Sequence, residues 1–154
     1  MITGSKRFHY FTPIILQKIG WLLFGTLYKI FVNIEINGRE NLIGLNAPII
    51  LASNHTSELD VTAVELIFPF FSKFYPIYFV AAPDEKLNTF GWRNYIYGGV
   101  FFNILGGYAI HSGFHDYGIS LEEHISQLEK NKTVFLFQEG KRTQKANIVK
   151  GSGG

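Results

Sequence analysis

The sequence predicts an α/β fold: a mixed, largely parallel sheet flanked by helices, preceded by an N-terminal apolar helix or helix pair that associates with a membrane. Three observations carry this. Short apolar runs alternate with helical stretches from about residue 33 onward, the pattern of strands joined by helices. The segment from Phe8 to Val32 is mostly apolar and is interrupted by Gln17, Lys18 and Lys29. A chain of 154 residues with 47% hydrophobic and 17% charged content suits one cored domain and argues against disorder. The expected division is a membrane-associating segment at 1–32 and a folded domain at 33–154.

Composition narrows the function classes. A formal charge of +2 is too small to argue for a nucleic-acid partner. The absence of cysteine excludes a thiol nucleophile, a disulfide framework and a zinc-thiolate site. With 15 Phe and 16% aromatics, the chain has more rings than a small soluble core usually needs. A membrane or an acyl chain is a natural contact for the surplus. Lys6 and Arg7 resemble the start of a signal peptide, but no small-x-small cleavage site closes the apolar stretch, so the segment reads as retained.

Taken in order, residues 13–32 as one helix would reach ~30 Å, about the thickness of a bilayer's hydrocarbon. Lys18 lies well inside, and the uncharged run from Ile19 to Tyr28 is only ten residues. A helix or helix pair in the interface therefore fits better than a span or an ordinary buried helix, with Tyr10, Trp21 and Tyr28 near the headgroups. Val32 to Asn37 reads as a strand leading to a turn at Asn37-Gly38. Pro48 to Ala52 is a buried strand, Asn54 to Ser57 a loop, and Leu59 to about Phe68 a helix stopped by Pro69. Ile77 to Ala81 is a second buried strand. Asp84 to Phe102 mixes helix and loop signals. Tyr108 to Ile110 is a short strand after Gly106-Gly107. Ser120-Leu121-Glu122-Glu123 matches a capping box that opens a helix to about Lys130. Thr133 to Phe137 is the last strand.

Two blocks at strand ends carry chemistry. In Asn54-His55-Thr56-Ser57-Glu58-Leu59-Asp60, His55 follows a strand and Asp60 lies about one turn into the next helix. A carboxylate there can orient the imidazole and stabilise its cation, leaving the other ring nitrogen to take a proton from a hydroxyl. Spacing alone is weak: His111 and Asp116 have the same separation, His124 and Glu129 nearly so, and an ordinary ion pair explains any one of them. The second block is Phe137-Gln138-Glu139-Gly140-Lys141-Arg142-Thr143. Its Gly allows a tight turn and its cations suit phosphate, Arg142 above all. On its own it is as readily a solvated turn.

In combination these blocks resemble the glycerolipid acyltransferases, specifically the lysophospholipid or 1-acylglycerol-3-phosphate O-acyltransferase family. Asn54, His55 and Asp60 match the family's Asn-His-x4-Asp motif. Glu139, Gly140 and Arg142 match its Phe-Pro-Glu-Gly-Thr-Arg-Ser motif, with Gln138 for the Pro and Lys141 for the Thr. Gly106 to Ser112 occupies the place of Gly-x-x-Phe-Ile-x-Arg, with Ser112 where the family has Arg. Ile36 to Leu42 is similar to the family's Gly-x-Glu-Asn-Leu approach. The resemblance covers about residues 30 to 150, and the family's fourth motif does not follow, so the catalytic domain is expected to be incomplete.

The resemblance implies an O-acyltransferase of phospholipid biosynthesis. It would move a fatty acyl group from acyl-coenzyme A or acyl carrier protein to a hydroxyl of lysophosphatidate or a related lysolipid. His55 would be the general base and Asp60 its orienter. Asn54, Glu139, Gly140, Lys141 and Arg142 would bind substrate. No bound cofactor and no metal is expected, and backbone N–H groups at the start of the helix after His55 are the expected oxyanion donors. The expected partners are membrane lipid and the acyl carrier, not nucleic acid, on the cytoplasmic face of the inner membrane. The alternative is a non-catalytic lipid-binding fragment, favoured by Ser112 and the missing motif. A hydrolase is disfavoured because no Gly-x-Ser-x-Gly elbow is present. Two aromatic clusters, Phe68 to Tyr78 and Phe90 to Phe102, are candidates for an acyl groove or for core. His111 and His115 share a metal-like spacing with no third ligand in view.

Overall fold

The structure, a computed structural model, describes residues 10–57, 59–81, 99–111, 113–114 and 116–140. Its first element is a single continuous helix, α1 (Phe11–Phe31), and not a helix pair. Pro13 is tolerated because it falls in the first turn, where no intrahelical N–H is needed. The helix has two faces. Pro13, Gln17 and Tyr28 are buried against the domain, whereas Phe11, Ile15, Ile19, Leu22, Leu23 and Ile30 are exposed along the opposite side, and Phe31 is exposed at the helix end. Gln17 is fully buried: its amide NH2 donates to the carbonyls of Ile77 at 2.7 Å and Leu105 at 2.8 Å, and its carbonyl accepts the Ile77 N–H at 2.9 Å. The Trp21 indole N–H donates to Phe68 O at 2.9 Å. Lys18, the charge that interrupts the apolar run, sits over the Phe70 and Phe71 rings at 5.0 and 5.4 Å.

The strand expected from Val32 to Asn37 does not form. That stretch is extended coil with Val32, Ile34 and Glu35 exposed, and it pairs with no described strand. Its β-branched residues favour an extended backbone, but without a neighbouring edge the ladder has no partner for its N–H and C=O groups. A single 3-10 turn, Arg39–Leu42, follows the turn at Gly38.

Four strands make one sheet in the order β1 (Ile49–Ser53), β4 (Thr133–Phe137), β2 (Ile77–Ala81), β3 (Gly107–Ala109). Every described pairing is parallel: Ile49 lies opposite Thr133, Ile77 opposite Thr133, and Phe79 opposite Gly107. Helix α2 (Asp60–Ile67) follows β1, and α3 (Gly99–Leu105) precedes β3. The last of the described strands in sequence is thus central among them. β1, expected to be fully buried, is an edge of this sheet and alternates, with Ile50 exposed and Ile49 and Leu51 packed inward. On one face Val64, Phe68, Phe74, Tyr75, Ile77, Phe79 and Phe135 form the main core, and Ile14 and Trp21 of α1 pack onto it. On the other face Tyr78, Tyr108 and Val134 form a smaller cluster with Leu128. The rings at 68, 74, 75 and 78 are therefore core, while Phe71 is exposed. The second expected aromatic cluster lies largely outside the described residues.

The capping box at Ser120 to Glu123 does not form. The helical stretch starts earlier, at α4 (Tyr117–Ser120), where Asp116 Oδ1 accepts the Gly118 N–H at 2.7 Å, and continues after Leu121 as α5 (Glu122–Glu129). Ser120 ends α4 with its hydroxyl on Phe114 O at 3.5 Å, so Leu121 and not Ser120 stands at the N-cap of α5. Gly106, at φ +98° between α3 and β3, lies where a Cβ would come within 2.8 Å of Ile77 O and 3.0 Å of the Gln17 amide nitrogen. That close approach is what lets Gln17 reach both Ile77 and Leu105.

Candidate active site

β1 and β4 end side by side, with Ser53 opposite Phe137 and the Gln138 N–H donating to Ser53 O at 3.3 Å. The two sequence blocks therefore leave the sheet together at its carboxyl end, where open parallel sheets place their sites. The first block folds as a tight loop around one carboxylate. Asp60, the first residue of α2 rather than a turn inside it, turns back over residues 55–57. Its Oδ2 accepts the Thr56 N–H at 2.7 Å and the Ser57 N–H at 2.9 Å, and lies 3.1 Å from His55 Nδ1. With Nδ1–H donating to Asp60, the neutral imidazole carries its basic lone pair on Nε2.

The ring is fixed in a second direction as well. Phe137 stacks on the His55 imidazole with centroids 3.9 Å apart and planes at 18°, and Phe135 meets Phe137 edge-on at 4.9 Å. The side chains of His55 and Asp60 are 18% and 25% exposed, so the pair is sheltered yet reachable. Burial pushes the Asp60 carboxyl upward, but the Ser57 and Thr56 N–H bonds and the neighbouring His55 outweigh it. The net result is a carboxyl below its ordinary value. Asp60 is therefore an anion at neutral pH, ready to stabilise an imidazolium.

The loop amides are committed around this carboxylate. The Thr56 and Ser57 N–H groups are committed to Asp60, and the Leu59 N–H to Ser57 Oγ at 3.2 Å. The Thr56 and Ser57 amides hold the orienting carboxylate, and the Leu59 amide braces the loop that carries it.

Asn54 accepts the Ser53 hydroxyl through its backbone carbonyl at 3.1 Å and its side-chain oxygen at 3.3 Å. Glu139 is buried just beyond the stacked Phe137. Gly140, at φ +62°, closes the turn by donating its N–H to Phe137 O at 3.0 Å, a left-handed conformation that suits glycine. The structure thus brings Asn54, His55, Asp60, Glu139 and Gly140 to one end of the sheet. Lys141 and Arg142 lie outside the described residues, as do Glu58, Ser112 and His115.

Sequence reasoning did not single out Phe137 as a ring support, although it heads the second block. It also did not anticipate Tyr28. The Tyr28 hydroxyl donates to Leu59 O at 3.2 Å and lies 2.7 Å from Thr62 Oγ1, joining the end of α1 to the residue before Asp60. The rival spacing at His111 resolves differently: His111 Nε2 is 4.0 Å from Glu123 Oε1, while Asp116 serves as a helix cap. Among the described residues no group of three His, Cys, Asp or Glu is placed to hold a metal ion.

A His–Asp pair at the carboxyl end of a parallel sheet, with an apolar helix packed on the domain, defines the class of α/β proteins that carry their site at the strand ends. A model of the acyltransferase family matches residues 33–154, and the chain belongs to that family. It carries an acyltransferase domain and is an enzyme of the transferase class. Among curated proteins and solved structures, nothing matches the chain.

Proposed function

We propose that the protein transfers a fatty acyl group from an acyl thioester, on coenzyme A or acyl carrier protein, to a hydroxyl of lysophosphatidate or a related lysolipid in phospholipid biosynthesis. The observation that carries this reading is the His55–Asp60 pair, with three donors converging on one carboxylate oxygen. His55 Nε2 takes the proton of the acceptor hydroxyl as its oxygen attacks the thioester carbonyl. The C–O bond forms, the C–S bond breaks, and the imidazolium returns the proton to the leaving thiolate. Asp60 holds the tautomer and balances the transient charge. Transfer is direct, with no acyl-enzyme.

Glu139 and Gly140 shape the adjoining turn, and Lys141 and Arg142 follow them in sequence as the cations for an acceptor phosphate. Asn54 borders the same loop. α1 supports the location of the reaction. It is long and apolar enough to cross a membrane by length and composition. Yet one of its faces is bonded to the domain through Gln17, Trp21 and Tyr28. A helix so committed suits lying in the interface, with its open stripe toward lipid, on the cytoplasmic face of the inner membrane.

The test is acyl transfer from long-chain acyl-coenzyme A to lysophosphatidate in detergent micelles, beside His55→Ala. Loss of general-base catalysis should lower turnover by ~10²- to 10⁴-fold. Equal product from both proteins would remove His55 as the base. No product from a wild-type chain that still binds micelles would favour the non-catalytic lipid-binding alternative.

A further inference from the structure

The loop between β1 and α2 carries His55 and Asp60, and its far end is held by hydrogen bonds rather than by burial. Leu59 stands at the N-cap of α2, offers the helix no side-chain cap, and is 53% exposed. Its N–H donates to Ser57 Oγ at 3.2 Å. Its carbonyl accepts the Ala63 N–H at 2.9 Å, the Thr62 hydroxyl at 2.8 Å and the Tyr28 hydroxyl at 3.2 Å. The next residue is Asp60, whose own N–H donates back to Ser57 O at 3.2 Å.

Of these partners Tyr28 alone comes from outside the loop and α2. Its ring is not turned to lipid, since Tyr28 is only 8% exposed near the end of α1. Its hydroxyl also lies 2.7 Å from Thr62 Oγ1, so two hydroxyls and one carbonyl form a closed triangle between α1 and the first turn of α2. The other bonds from α1 run elsewhere: Gln17 reaches Ile77 and Leu105, and Trp21 reaches Phe68. The Tyr28 bond reaches the residue beside the orienting carboxylate. That placement matters because Asp60 Oδ2 is 3.1 Å from His55 Nδ1, near the long end of the N–H···O range. A small drift of the carboxylate would weaken the bond that fixes the ring.

We infer that Tyr28 is a positioning residue: its hydroxyl fixes Leu59, and through Leu59 it sets the Asp60 carboxylate against His55. The effect on rate rests on His55 acting as the base of the proposed reaction. The effect on the ring can be read without turnover.

Tyr28→Phe removes one oxygen and keeps the ring. Thr62 Oγ1 retains Leu59 O as its acceptor, so no polar group is stranded and the fold should be retained. Trp21→Phe is the comparison, because it removes a bond of the same helix that does not reach the loop. In detergent micelles, nitrogen NMR of isotopically labelled histidine reports which ring nitrogen of His55 carries the proton, with the signals assigned by their loss in His55→Ala. At alkaline pH the wild type and Trp21→Phe should show the Nδ1–H form, and Tyr28→Phe a mixture of the two tautomers. In acyl transfer, Tyr28→Phe should lower kcat roughly threefold to tenfold, the worth of one neutral hydrogen bond, with KM unchanged. Trp21→Phe should leave kcat as it is. Ring signals and kcat in Tyr28→Phe equal to wild type would overturn the inference. The same loss of kcat in both variants would overturn it too, by marking a loosened helix rather than a displaced carboxylate. If no chain transfers acyl groups, yet the tautomer mixture appears in Tyr28→Phe and not in Trp21→Phe, the positioning role stands and the proposed reaction fails.

Discussion

Glu65→Gln should make this protein more stable, by an amount that grows with pH. Glu65 lies on α2, is 7% exposed, and faces α1 so closely that a Cβ on Gly20 would come within 2.9 Å of its Oε2. Tyr75 donates to the backbone carbonyl of Glu65 at 2.6 Å and leaves the carboxyl to its apolar surroundings. Burial pushes that carboxyl from 4.5 to about 8. The folded chain therefore holds a proton that the unfolded chain releases above pH 4.5. Stability contributed by this group is full below the unfolded value and declines as pH rises toward 8. Each pH unit in that window costs about 1.4 kcal/mol, which makes about 3 kcal/mol at pH 7. Glutamine has nearly the same shape and no proton to lose. For a chain of this size the gain corresponds to a Tm rise of roughly 6–12 °C at pH 7. Thermal unfolding followed by circular dichroism in one detergent, across pH 4 to 8, measures it. The wild-type and variant curves should converge near pH 4. A difference that stays constant with pH, or a variant less stable at pH 7, would refute the account of Glu65 as a neutral acid held under α1.

Asp60→Asn keeps the shape of the carboxylate but removes its charge, and should lower kcat by ~10²- to 10⁴-fold with little change in KM. Because the Asp60 carboxyl is held below its ordinary value, its contribution to stability is present above the usual carboxylate range and fades as pH falls through it; the variant should lack that acid-side loss in pH-dependent unfolding. Phe137→Leu removes the ring stacked on His55, an interaction of about 0.5–1.5 kcal/mol. The expected result is a few-fold to tenfold fall in kcat, visible in steady-state rates while circular dichroism stays unchanged. Gln17→Leu strands the Ile77 N–H and the Ile77 and Leu105 carbonyls, each buried orphan costing about 1–3 kcal/mol. It should expose α1 to limited proteolysis; resistance equal to wild type would show that Gln17 does not hold the helix.

What was legible in the sequence follows from what is local. The strands at Ile77 and Thr133 and the helix stopped before Pro69 are written in apolar runs and breakers, and they form nearly where expected. The His55–Asp60 pair was legible because both ends lie within one short loop. What was not legible depends on partners far away in sequence. Val32 to Asn37 has strand-like residues but no edge to join. Ile50 is exposed because β1 lies at the sheet's edge, a fact of strand order. The stack of Phe137 on His55 joins residues brought together only by the register of β1 on β4. The role of Gln17 was hidden for the same reason: a polar residue in an apolar helix looks like an interruption until its three backbone partners, contributed by Ile77 and Leu105, are known.

The position of β4 sets an order of assembly during synthesis. β1 and β2 touch β4 rather than each other, so the sheet has no continuous centre until Thr133 to Phe137 has left the ribosome. Pairing Ile49 with Thr133 closes a loop of more than half the chain, a non-local step that comes late in folding. α1 precedes the described strands in the chain and carries an exposed apolar stripe. Until β4 pairs with β1, His55 lacks the ring beneath it. β4, the last of the described strands in sequence, supplies both Phe135 of the core and the Phe137 ring that stacks on His55.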